Sequence, residues 1–158
     1  MTLKELIEFA SAQAEIIFRR TGMVLPMWHA IKANGQTLIL SPPDLENKDL
    51  SVALVKAAFE IENVVQYVFL SEAWELATTV ERDPDIEKAA CHGLEHHPDR
   101  REILMLAAEN NEGEEQTAHR YILRPEHGKA KLAPLIMDDM TGRKSSGRMV
   151  GLLRKNNP

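Results

Sequence analysis

Cysteine occurs once in this 158-residue chain, at Cys91, so no internal disulfide can form. A lone thiol suits a reducing compartment, and the expected setting is cytoplasmic. Aromatic residues are sparse, with two Trp, two Tyr and four Phe, which leaves few platforms for stacking nucleic-acid bases. Uninterrupted apolar runs span only a handful of residues, against the ~20 that a membrane-spanning helix requires. The opening Met-Thr-Leu-Lys-Glu-Leu carries acid and base where a signal peptide would be apolar, so no leader is expected. Gly-x-Gly-x-x-Gly and Walker-type loops are absent, as is a Gly-x-Ser-x-Gly elbow. Phosphate cradles and an activated serine of those kinds are therefore not expected.

What is present fits one globular unit. A chain of this length can bury roughly 70% of the surface its unfolded form exposes. The net charge of −5 is unevenly placed: residues 141–158 hold Arg143, Lys144, Arg148, Arg154 and Lys155 and no acid, so the preceding 140 residues carry −10. The expectation is a domain over 1–140 and a basic tail that folds back on the acidic body. Nucleic acid is not an expected partner except through those five tail cations, since phosphate contacts need clustered Lys and Arg.

Periodicity supplies the elements. Thr2 and Glu5 form a capping-box pattern, Leu3, Ile7, Ala10, Ala14 and Ile17 make a helical stripe, and Gly22 ends it. Residues 23–32 and 36–40 read as a hairpin around Asn34-Gly35, with Pro26 holding the first strand to an edge or a late start. A second helix over 48–62 is capped by Asn47 or Asp49, and its expected buried stripe is Leu50, Leu54, Ala57, Ala58 and Ile61, with Val55 and Phe59 alongside. Residues 64–74 are apolar on both faces, which marks the central strand of the sheet. After a long connection over 75–100, strands at 102–109 and 116–123 form a second hairpin. A last strand near 131–137 is placed at an edge by Pro134, and residues 149–153 supply a short strand or an apolar plug. The fold class is α+β: a mainly antiparallel sheet with the N-terminal helix and the second helix packed on one face.

Chemistry concentrates in residues 91–101, Cys-His-Gly-Leu-Glu-His-His-Pro-Asp-Arg-Arg. His92 and His96 are four apart and would share a helix face, with His97 and Asp99 completing a ligand set for Zn or Mn. Glu95 or Glu72 would then serve as the base. Gly93 and Pro98 weaken such a helix, and the competing reading is a solvated loop with no cofactor. His97, Asn111 and His119 approach a His-Asn-His order, but residues 103–108 lack the turn that nuclease finger needs. A separate candidate is Glu72, Arg101 and Arg120, which could meet at one end of the sheet as a ligand-binding trio or a structural ion pair.

These features lead to a non-enzymatic interaction or accessory module, with a protein partner or self-association through strand edges as its mode of action. The alternative is a metal-dependent hydrolase using the histidine-rich 91–99 loop. No cofactor is expected under the first reading, and no membrane under either.

Overall fold

The computed structural model of the chain describes residues 1–76, 100–141 and 149–153. Helix α1, Leu3–Thr21, opens with the capping box: Thr2 Oγ1 accepts the Glu5 amide while Glu5 accepts the Thr2 amide. It closes on Gly22, whose left-handed φ of 76° lets its amide reach the Phe18 carbonyl. Strands β1, Met27–Lys32, and β2, Thr37–Leu40, follow, with β1 starting just after Pro26. Their loop is Ala33-Asn34-Gly35, where Gly35 at φ 85° takes the position a three-residue hairpin reserves for a left-handed residue. Helix α2, Lys48–Ile61, is capped by Asn47, which accepts the Leu50 amide.

The remaining strands are β3, Val64–Leu76, β4, Arg100–Asn110, and β5, Glu115–Leu123. Two short pieces end the sheet, β6 at Lys131–Leu132 and β7 at Ile136–Met137. Sheet order is β2-β1-β3-β4-β5-β6, with β7 also on β5 and every pairing antiparallel. Pro134 lies between β6 and β7, so the expected edge strand is split in two; proline cannot donate to a ladder.

The chain is α+β with a mainly antiparallel sheet, as its patterning implies, but the two helices do not share a face. On the front face α1 buries Leu6, Ile7, Ala10, Ala14 and Phe18 against Val68, Leu70, Leu104, Leu106 and Ala118. On the back face α2 lays Val55 and Phe59 against Trp28, Ala30, Tyr67 and Phe69. The reason lies in β3, where alternate residues are apolar on both sides, so each side needs its own cover. Residues 149–153 join the back layer as a plug: Leu152 is buried there and the Trp28 indole donates to the Met149 carbonyl at 3.1 Å. No helix among the described residues is long and apolar enough to cross a membrane.

Helix α2 also departs from its expected stripe. Its buried residues are Ser51, Val55 and Phe59, whereas Leu50, Leu54 and Ile61 of the expected stripe are 45%, 46% and 77% exposed. Ser51 can be buried because its hydroxyl donates to the Asp44 carbonyl and accepts the Asp44 amide, leaving no polar group unsatisfied. Val55 and Phe59 then fill the space above β1 and β3, and the leucines are turned outward.

Candidate functional site

Strand register decides which charged residues can meet. Glu72 pairs with Leu104 and Leu104 with Arg120, so all three stand in one row of the front face. Arg101 pairs with Glu75, an odd number of residues from Leu104, and so stands on the back face. The expected trio therefore does not converge. Glu72 accepts the Val24 amide at 3.1 Å. Arg120 pairs with Glu15 of α1, donates to the Ala133 carbonyl at 2.6 Å, and reaches Ser11 Oγ at 3.3 Å. Its guanidinium thus ties helix, sheet and the β6 segment together. Arg101 instead lies over the Tyr121 ring at 5.5 Å.

The other sequence candidates, His92, Glu95, His96, His97 and Asp99, lie outside the described residues, as do the tail cations Arg143, Lys144, Arg148, Arg154 and Lys155. Among the described residues no group of three or more His, Cys, Asp or Glu is placed to hold a metal ion.

One constellation was not legible in the sequence. His119 on β5 and Asp138, just after β7, meet at 2.7 Å between Nδ1 and Oδ1. Asp138 is held in turn by the Thr117 hydroxyl at 2.6 Å, while Gln116 donates to its backbone carbonyl at 2.9 Å. The pair exists because Ala118 is in register with Met137, which brings two segments 19 residues apart side by side. His119 stands opposite Met105 on the back face, with Tyr121 edge-on at 5.2 Å. Among the described residues its Nε2 takes no partner. A carboxylate on Nδ1 fixes the tautomer so that Nε2 is the acceptor, the orientation used by metal-ligating and proton-accepting histidines. The same contacts also fasten β7 to β5.

A different surface is offered by the outer side of α2. Leu50, Leu54, Ala57 and Ile61 follow one another at steps of four, three and four, the seam spacing of a two-helix packing. All four are exposed, and Leu45 just before the helix is 60% exposed.

Comparison with known family models, curated proteins and solved structures gives no match to this chain.

Proposed function

We propose that the chain acts as an interaction and accessory module in a cytoplasmic setting, and that the seam on α2 is its docking surface for a second copy of itself. The observation that carries the reading is the exposed heptad-spaced run of Leu50, Leu54, Ala57 and Ile61, since a contiguous apolar patch on a surface helix is commonly an interface. An antiparallel two-fold pairing would set Leu50 against Ile61 of the second copy and Leu54 against Ala57. Leu54 would then face the smaller Ala57, and Leu50 would meet Ile61 of equal size, a self-complementary two-fold seam. Charge supports the same direction. The last turn of α2 has no basic residue and is followed by Glu62, with Glu60 within it; acids at a helix C-terminus oppose its dipole. Glu62 already pairs with Lys32, and in an antiparallel pair Glu60 would lie beside the positive N-terminal end of the other helix and its Lys48.

Strand edges are the weaker route to self-association. Strand β2 has four residues and runs into Ser41-Pro42-Pro43, and Pro134 interrupts the opposite edge; short and proline-broken edges resist pairing. A helix of 14 residues spans about 21 Å, so one such pairing would bury less than a standard interface of about 1,600 Å². The dimer is therefore expected to dissociate in the micromolar range or above. The test is light scattering on Leu54→Glu beside the native chain: the native protein should show a concentration-dependent rise in mass that the variant loses without unfolding. Equal masses at every concentration would remove α2 from the interface.

A second reading, metal-dependent hydrolysis through the 91–99 loop, draws support from His119, whose Nδ1 is held by Asp138 and whose Nε2 takes no partner among the described residues. Metal analysis of tag-free protein, with thermal melts before and after chelation, tests it. About one Zn or Mn per chain and a melt that falls on chelation are expected under this reading. A metal-free protein indifferent to added metal would end it.

A further inference from the structure

We infer that the cleft between the last turn of α1 and residues 129–132 binds a small phosphorylated molecule with an apolar or planar body. The inference stands apart from the α2 interface, which lies on the other side of the sheet. The cleft has a volume of about 730 Å³, within the range of about 300–1,000 Å³ typical of small-ligand sites. Its floor is Phe18, Ala130 and Leu132, and its rim carries Arg19, Arg20, Lys129 and Lys131.

The only acid in that lining is Glu15, and its carboxylate is already engaged by Arg19 and Arg120. Arg20, Lys129 and Lys131 have no ionic partner among the described residues. Three cations at one cleft with no such partner among the described residues stand out on a chain whose net charge is −5. Spread over an acidic surface, such cations would normally be matched by neighbouring carboxylates; gathered around a concavity, they focus a positive potential into it.

The wall is also set in advance. Arg120 is largely buried and bonds the carbonyls of Leu132 and Ala133 as well as Glu15. The segment bearing Lys129 and Lys131 is thereby fixed against α1 before any ligand arrives, which lowers the ordering cost of binding. Cations on the rim suit phosphate oxygens, with Arg20 offsetting the negative end of the α1 dipole beside it, and the apolar floor suits a ring or short hydrocarbon.

Calorimetric titration of the full chain with inorganic pyrophosphate and with adenosine diphosphate tests the assignment, beside the double variant Lys129→Glu, Lys131→Glu. The expected result is saturable one-to-one binding, tighter for the nucleotide because it also covers the floor, and weaker as salt rises from ~50 to ~300 mM. The double variant should keep its melting temperature and lose about tenfold or more in affinity for both probes; Lys4→Glu, at the other end of α1, should lose nothing comparable. No saturable binding of either probe would overturn the assignment, as would equal binding by the double variant. A single-stranded oligonucleotide that binds far more tightly than the nucleotide would overturn the small-ligand class in favour of a nucleic-acid surface.

Discussion

The hydroxyl of Tyr67 accepts the amide of Leu152 at 3.2 Å, a contact between residues 85 positions apart. The same hydroxyl donates to Glu109 at 2.9 Å. Burial, opposed by the Leu152 amide and reinforced by the neighbouring Glu109 carboxylate, holds the phenol far above its ordinary pKa, so it remains a donor at all working pH values. One atom therefore joins the centre of the sheet to the late segment that plugs its back layer.

Tyr67→Phe removes both bonds while keeping the ring against Phe59, 5.2 Å away between centroids. The expected loss is about 1–3 kcal/mol, the cost of leaving buried polar groups unmatched. Urea midpoints for the two proteins measure it directly. A loss of only a few tenths would mean that water or another group replaces the hydroxyl.

His29 makes stability depend on pH. It is 1% exposed, its Nε2 lies 3.2 Å from Met27 Sδ, and its Nδ1 is buried without a partner. Burial lowers its pKa from the ordinary value, because a charged imidazole would lose its hydration there. The unfolded chain consequently takes up the proton first, at its ordinary value of about 6.5. Stability from this group is whole above that pH and is lost as pH falls from there toward the lower folded value. The drop in urea midpoint between pH 7.5 and 5.5 should be smaller in His29→Leu than in the native chain. An identical drop would assign the acid sensitivity to other groups.

Arg120 and Glu15 test how α1 is held. Their side chains are 12% and 23% exposed, so removing Arg120 leaves Glu15 largely buried with only the exposed Arg19 as its ionic partner. Arg120→Met should cost about 2–4 kcal/mol, and adding Glu15→Gln should recover part of it. Additive losses across that double-mutant cycle would show that the ion pair contributes nothing of its own.

Local signals in the sequence specify most elements. Thr2, Glu5 and Gly22 bound α1, Gly35 and Gly113 mark the two hairpin loops, and the two-sided apolar pattern of 64–74 puts β3 at the centre of the sheet. What fails to show is everything that depends on register or rotation. A shift of one residue moves a side chain to the other face, so nothing local could say that Arg101 and Arg120 lie on different faces of the sheet. The His119–Asp138 pair needs the β5–β7 register, which spacing alone does not encode. In α2 two apolar arcs compete, and the choice falls to Val55 and Phe59 because Asp44 satisfies the buried Ser51 between them and the N-cap. The stripe read as core is thereby left on the surface, where it becomes the candidate interface.

Sedimentation velocity on the native chain over a concentration series, beside Leu54→Glu at the same concentrations, decides whether α2 is a self-association surface. A sedimentation coefficient that rises with concentration toward that of a dimer, and stays at the monomer value in the variant, is the predicted result. A native chain that remains a monomer throughout, or a variant that associates equally well, would contradict it.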